Sequence, residues 1–428
     1  KDHRFGFFPS FSAAWVISNE NFYQGIKEVM NMTKLRASYG WLGNQNVGYY
    51  EYISNMTFYE CNYLLNGKKP IGVGSPDLIS DDLTWEKVNT IDFGLDLAFL
   101  RNRLTFSGDV YRRNTKDMLT PGKTLPGVLG VASPRQNAAD LKTEGWEISI
   151  GWQDHFMLAS KPFKYSVKFN ISDSYAVITK FNNETGTLDD YYPGWRIGDI
   201  WGLTTEGFFQ SEEDIKNHAD QWEVTAYPGD RPLAPGDLKY KDLNGDRYVN
   251  KGKWTIDDHG DFSIIGNTSD RYCYGADINA EWNGFDLRIL LQGVGKKDWY
   301  PNVFTFFGIY RAPWSDVYTN NLDHWTPENP DGYFPRLKSY TAEVAGDMSI
   351  AQTRYLQDAS YMRIKNITFG YTLPQSLTRK IKIDQVRFYF SGDNIAEITK
   401  LCKNVDPEGL GLVHPMQRVF SFGLNLNF

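Results

Sequence analysis

The 428-residue chain predicts an all-β fold, a transmembrane antiparallel β-barrel with long loops at one end. Three observations lead there. Apolar residues recur at every second position in many separate runs, as one face of a strand requires. The runs are about ten residues long, against the ~5–6 residues of globular strands and the ~9–11 that a tilted strand needs to cross a bilayer. The links between runs alternate short and long, which gathers every long link at one end.

The runs appear in order along the chain. Phe7, Phe11, Ala13 and Trp15 open the pattern, and a second run is centred on Leu35. Ile91, Phe93, Leu95, Leu97 and Phe99 alternate with Asp92, Gly94, Asp96 and Ala98, and Leu104, Phe106 and Val110 face away from Thr105, Ser107 and Asp109. Trp146, Ile148, Ile150 and Trp152 oppose Glu147, Ser149 and Gly151, while Phe163 to Ile171 oppose Lys164, Ser166, Lys168 and Asn170. Tyr272 to Trp282 and Phe285 to Leu291 form a pair around Asn283-Gly284, the strongest short hairpin signal. Runs near Ile367 and Phe388 follow, and the chain ends on Phe420, Phe422, Leu424, Leu426 and Phe428 with Ser421, Gly423, Asn425 and Asn427 between them. The total is about eleven strands. Such an odd count, starting inside the pattern, is expected of the later part of a longer barrel, because single-chain bacterial barrels close with even numbers.

Short links are expected at LRNR near residue 101, at QDHFMLASKP from Gln153, at Asn283-Gly284 and at PQSLTRKIKID from Pro374. Long ones are expected from Gly43 to Thr84, Asn114 to Asp140, Ala176 to Arg271, Gly293 to Ser360 and Asn394 to Met416, all far above the ~4–6 residues usual in compact domains. Charged residues such as Asp96, Lys164, Lys168, Asp277, Glu281 and Arg288 fall in mid-strand on the polar face. That suits a hydrated or plugged lumen, and equally the wet face of a sandwich.

Aromatic residues make up 15% of the chain while mean hydropathy is only -0.47, a combination that fits an aromatic-girdled barrel and contains no membrane helix. The net charge of -7 without a basic stripe gives no nucleic-acid partner. Cys61, Cys273 and Cys402 have no metal-ligand spacing; one disulfide or free thiols both suit them.

The wording of the segments then becomes recognisable. KLRASYGWLGNQNVGYY, DLTWEKVNTIDFGLDLAFLRNRLTFSGDVYRRNTKDML, GDLKYKDLNGD, HWTPENPDGYFPRL and YLQDASYMRIKNITFGYTLPQSL together resemble the barrel of SusC/RagA-type TonB-dependent transporters of Bacteroidota, over essentially all of residues 1–428. The resemblance implies an incomplete C-terminal portion of a large plugged barrel of the 22-stranded class, in the outer membrane of a Gram-negative bacterium. The plug and the N-terminal TonB-contacting segment are absent from this stretch. It also implies active import of an oligosaccharide or peptide, with membrane lipid, the TonB complex and a SusD-like surface lipoprotein as partners, and no required cofactor. A surface adhesin or carbohydrate-binding β protein is the alternative; it calls for short strands and no asymmetry of links.

One segment reads like a site. In DLNGDRYVN, Asp242, Asn244 and Asp246 occupy positions one, three and five of a Gly-containing turn and can converge oxygens on Ca2+ or Mg2+. The resembling family loop reads D-x-N-G-D-G, whereas Arg247 stands here where Gly is usual and Lys253 where a bidentate Glu would stand. A polar turn held by Asx hydrogen bonds is the other reading. The neighbouring acids Asp81-Asp82, Asp189-Asp190, Glu212-Glu213 and Asp257-Asp258 read as solvated loop residues rather than general acids, and the six histidines show no H-x-H or H-E-x-x-H spacing. No enzyme is expected. Trp195, Trp201, Trp222, Trp254, Trp299, Trp314 and Trp325 fall in long links, where they can stack on sugars, pack small loop cores or meet a partner. The terminal Phe428 is expected to serve as a barrel-assembly signal.

Overall fold

The computed structural model describes residues 5–44, 53–80, 83–122, 125–131, 133–225, 233–301, 304–310, 315–337, 348–402, 405–411, 414 and 416–428. Eleven strands form one sheet in strict sequence order, each antiparallel to the next. They are β1 Ser10–Val16, β2 Met30–Asn44, β3 Glu86–Phe99, β4 Leu104–Pro121, β5 Arg135–Leu158 and β6 Lys161–Lys180. After a long excursion come β7 Arg271–Trp282, β8 Phe285–Lys296, β9 Tyr361–Thr372, β10 Gln385–Thr399 and β11 Val419–Asn427. This is the expected strand set, with strands long enough to span a bilayer, and it leaves no room for a sandwich of short strands.

Strands run up to five residues past the link starts expected at Ala176, Gly293 and Asn394, and three further boundaries differ from expectation. Phe7 lies outside β1, which begins at Ser10. The link expected over Gln153 to Pro162 shrinks to Ala159-Ser160, since β5 runs to Leu158 and β6 starts at Lys161. Both turn residues take positive φ, 47° and 62°, as do Asn283 and Gly284 at 47° and 89°, so both hairpins close in the left-handed geometry that matches strand twist. Ala-Ser carries no residue signal for that turn, which is why only Asn-Gly was legible. At the other end, β4 and β5 stay paired up to Pro121 opposite Arg135, well past the expected limits of Asn114 and Asp140. There the ladder is reinforced by Lys116 Nζ on Asp140, 2.8 Å, and by Asn137, which donates to the carbonyls of Thr84 and Asp117 at 3.1 and 2.6 Å. Polar groups replace apolar alternation, so the period disappears while the strand continues.

Burial on the sheet is inverted relative to a globular protein. Phe93, Val110, Ile150, Phe169, Phe369, Phe388, Phe420 and Phe422 are exposed, Phe422 at 84%. The polar face carries ion pairs that bridge neighbouring strands. Arg36 on β2 reaches Asp96 on β3 and Asp109 on β4, both at 2.8 Å, and Ser107 donates to Asp96 at 2.7 Å. Arg288 pairs with Asp277 at 2.8 Å, and Arg387 with Asp286 at 2.9 Å. An apolar outer face and an internally neutralised polar face are what lipid on one side and a lumen on the other demand.

Glycines on the polar face seat these side chains. A Cβ on Gly94 would run into Arg36 and Asp109, one on Gly370 into Asp286 and Arg387, and one on Gly423 into the Tyr389 ring. Each large group therefore lies flat across a neighbouring strand instead of projecting into the lumen.

The last long link, residues 400–418, is tied to the polar side of the wall. Arg363 on β9 is buried, 1% exposed at its side chain, and lies 2.8 Å from Asp406 and 3.5 Å from Glu408. Lys365 also reaches Glu408, at 2.8 Å. Two residues apart on one strand, Arg363 and Lys365 share a face and meet the same loop, beside a register shift between Ile364 and Asn366 against both β8 and β10. Burial works to raise the Asp406 carboxyl, but the Arg363 guanidinium and the amides of Glu408 and Met416 override it and hold it below the usual carboxylate range. With a depressed folded value, its stabilisation is complete above the ordinary aspartate pKa of about 4 and is lost as pH falls below that.

Two outcomes follow for the full-length protein. Gly423→Val should lower the folded, heat-modifiable fraction, and adding Tyr389→Ala should restore most of it; failure of the second change to rescue the first would remove the seating explanation. Arg363→Met leaves the buried Asp406 without its cation and Glu408 with Lys365 alone, a loss of about 3–5 kcal/mol for breaking a buried pair. The 400–418 segment should then be cleaved by protease at pH 7, where the parent protein resists; equal resistance would show that the clasp does not hold the loop.

Candidate site at the outer mouth

Residues 181–270, between β6 and β7, and 297–360, between β8 and β9, leave the same end of the wall and share one hydrophobic core. The first contributes Leu203, Phe208, Val224, Leu238, Tyr240, Val249 and Phe262; the second contributes Phe306, Phe307, Tyr310, Trp325, Phe334, Met348 and Tyr355. Tyr240, Phe307, Phe334 and Tyr355 are fully buried, and burial holds the Tyr355 phenol well above its ordinary pKa. Hydrogen bonds join the two links directly. Leu203 N donates to Ala351 O at 2.9 Å and Thr353 N to Leu203 O at 3.1 Å. Gln352 accepts from Thr205 Oγ1 at 2.9 Å and donates to the Tyr240 hydroxyl at 3.2 Å. Arg336 forks onto Asp237 at 2.8 and 3.1 Å. The two links therefore form one folded module on the wall rather than separate flexible loops.

Ordinary local rules build its parts. Ser211 accepts from Asp214 N at 3.1 Å and caps a helix over Glu212–Asn217, whose first turn places Glu212, Glu213 and Asp214 at its positive end. Lys239, 2.8 Å away, holds the Asp214 carboxyl below its usual range. Gln221 is fully buried, donates to Leu238 O at 2.8 Å and accepts from Tyr240 N at 3.2 Å.

The tryptophans belong mainly to this packing. Trp201, Trp254 and Trp325 lie in or against the shared core, Trp195 packs on a smaller core of Ala139, Ile178 and Phe181, and Trp299 meets Phe306 edge-on at 6.5 Å. Trp222 is 49% exposed. Trp314 lies outside the described residues, as do Asp81, Asp82 and His3. Among the other acids, Asp189 accepts from Trp254 Nε1 at 2.8 Å and Asp258 faces Lys253 at 3.8 Å. His218 Nε2 bonds the Tyr240 carbonyl at 2.8 Å, and His259 lies against the Trp201 ring. Each has a local structural role. Cys61, Cys273 and Cys402 are not joined in disulfides, and Phe428 follows β11 with 84% exposure.

The acidic turn is brought together as its spacing predicts, yet its oxygens already have donors. Asp242 accepts from Gly245 N at 2.6 Å and Arg247 N at 2.8 Å. Asn244 accepts from Asp246 N at 2.9 Å, and Asp246 accepts from Tyr248 N at 2.7 Å and Asn244 Nδ2 at 3.0 Å. Among the described residues no three Asp, Glu, His or Cys side chains converge as a metal-holding group. The residue that sequence reasoning missed is Asp261. Fully buried, it accepts from Leu243 N at 2.7 Å and Asn250 N at 2.9 Å and so clamps both ends of the turn. It stands many positions beyond the motif, and only the fold brings it back.

Comparison with known proteins places this architecture. Residues 1–288 match the family model described as TonB dependent receptor-like, beta-barrel. TonB-dependent receptor P3 of Formosa agariphila is 28% identical over 458 residues, covering 100% of this chain and 42% of that protein. TonB-dependent receptor SusC of Bacteroides thetaiotaomicron is 27% identical over 446 residues, covering 100% and 40%. The chain thus spans about two fifths of the length of these curated relatives. The solved structure of the RagAB peptide transporter superposes with a TM-score of 0.75 at 22% identity, over 100% of this chain and 44% of that one, which fixes the fold. The chain belongs to the TonB-dependent receptor β-barrel family, as wall of an outer-membrane barrel.

Proposed function

We propose that the full-length protein actively imports a nutrient, an oligosaccharide or a peptide, across the outer membrane, and that this chain supplies wall and outer mouth. The observation that carries the reading is the folded two-link module standing at one end of a bilayer-length wall whose lumen face is neutralised by paired charges. The relatives' greater length leaves room for a plug and a TonB-contacting segment, through which the TonB complex would supply energy. A relative named SusC and the RagAB peptide transporter support import and leave both substrate classes open.

On this reading the module is a rigid platform for a SusD-like surface lipoprotein, which captures most of the substrate. Most of its large rings are spent on internal packing, which favours a docking surface over a row of sugar-stacking aromatics. A stable contact of this kind buries more than about 2,000 Å². Shortening 181–270 and 297–360 together, so that no half of the shared core is left exposed, should leave the barrel inserted and abolish co-purification of the lipoprotein. Retention of the lipoprotein by an inserted, trimmed barrel would assign docking elsewhere.

We infer that the Asp242–Asp246 turn is held by its own amide donors and by Asp261. Chelator or added Ca2+ should leave protease cleavage of this segment unchanged, while Asp261→Ala should accelerate it, since a buried acceptor of at least two amides is removed at about 1–3 kcal/mol for each donor left unsatisfied. Calcium-dependent protection would instead make the turn a cation site.

A further inference from the structure

The outward face of the wall changes character along one row of strand partners. Ile91 on β3 lies opposite Arg112 on β4, Arg112 opposite Glu144 on β5, and Glu144 opposite Tyr175 on β6. Alternation puts Arg112 on the same face as Phe106 and Val110, and Glu144 on the same face as Trp146 and Ile148. On β4 and β5 Arg112 and Glu144 are therefore the first polar outward residues above the apolar band, on the side of the long links, while on β6 Asp173, opposite Trp146, is polar one row lower. In a membrane barrel that band is about 25 Å tall and ends at the headgroups.

Cations gather around this row although the chain as a whole carries -7. Glu144 is shared by Arg112 at 2.6 Å, Lys142 at 3.2 Å and the Tyr175 hydroxyl at 2.7 Å. Asp173 is taken up by Arg271. The Tyr175 ring also meets the guanidinium groups of Arg196 at 5.5 Å and Arg271 at 5.9 Å. Arg196 comes from the base of the 181–270 link, anchored beside the small core of Ile178, Phe181 and Trp195, and among the described residues no carboxylate pairs with it. Four cations thus face two carboxylates. Beside them opens a cleft of about 630 Å³ with Phe93, Val110 and Trp146 among its apolar lining and Arg112, Arg271, Tyr175 and the two paired carboxylates Glu144 and Asp173 at its polar side; Lys142 and Arg196 stand just outside it, against Glu144 and the Tyr175 ring.

We propose that this cleft binds a phosphate-bearing lipid of the outer leaflet. The phosphate sits against Arg112, Arg196 and Lys142, and an acyl chain lies along Phe93, Val110 and Trp146. A free anion would satisfy only the cations, and a neutral lipid only the apolar wall; the continuity of the two in one cleft at the band's edge selects an amphiphile. Because Arg196 belongs to the long link and Arg112 to the wall, the bound headgroup ties the outer module to the membrane surface.

The test uses full-length transporter in mild detergent, incubated with bisphosphorylated lipid A, with its dephosphorylated form, or with inorganic phosphate, and read by native mass spectrometry. Arg112→Ala with Arg196→Ala should reduce retained lipid A about twenty-five-fold, at about fivefold for each basic group removed. Arg103→Ala, at the short-turn end, should retain as much as the parent. Heat-modifiability confirms that each variant is folded, and Arg112→Lys in place of Arg112→Ala should keep binding near the parent level. The dephosphorylated lipid should be held poorly by every form. Equal retention by the double variant would overturn the proposal. So would complete displacement of lipid A by equimolar phosphate, which would make this a simple anion site, or a change of oligomeric state without a change in lipid, which would assign the face to a second copy.

Discussion

The structure depends on one constraint: inside a bilayer every backbone N–H and C=O must find a partner within the protein, because no water is there to take its place. An antiparallel ladder running without interruption through neighbouring strands meets that demand. The eleven strands do so in sequence order, with each hairpin registering the next. Side-chain alternation follows from the ladder, since fixing the pairing fixes which residues face lipid and which face the lumen. Register errors are correspondingly costly, and the two-residue turns at Ala159-Ser160 and Asn283-Gly284 leave little freedom for slippage.

Hydrophobic burial is consequently displaced from the sheet into the connections. The wall presents Phe93, Phe388 and Phe422 outward, where lipid is their environment. The buried aromatic cluster of Phe306, Phe307, Phe334 and Tyr355 lies in the links. Outside the membrane the chain meets water again, and a connection of this length gains order only by burying apolar surface of its own. Pooling two links in one core gives each a larger partner than it could form alone. That is how segments with little regular secondary structure acquire a defined shape.

Charge is managed by position. On the lumen face Arg36, Arg288 and Arg387 each find a carboxylate on a neighbouring strand, and Gly94 and Gly370 give the Arg36 and Arg387 pairs room to lie flat. Arg363 does the same for a connection, drawing Asp406 and Glu408 onto the wall. At the upper edge of the apolar band the balance tips toward cations, where Arg196 has aromatic but no carboxylate company among the described residues.

The strands were legible in the sequence because a strand between lipid and lumen has two environments with a period of two residues, and Phe420, Phe422, Leu424 and Leu426 record that directly. The asymmetry of links was legible as length, and the acidic turn as spacing. Pairing beyond the bilayer was not legible: from Asn114 to Pro121 neither face is uniformly apolar, and the ladder rests on bonds from Asn137 and Asp140 that are remote in sequence. Nor could the sequence say what the tryptophans in the links contact, since a ring that packs a core and a ring that meets a ligand look alike until Trp201 or Trp325 has neighbours. The clamp by Asp261, the loop clasp by Arg363 and the row from Ile91 to Tyr175 each join residues from separate segments. Local propensity and alternation act through nearest neighbours along one chain, whereas these sites exist only once register and loop packing have brought distant segments side by side.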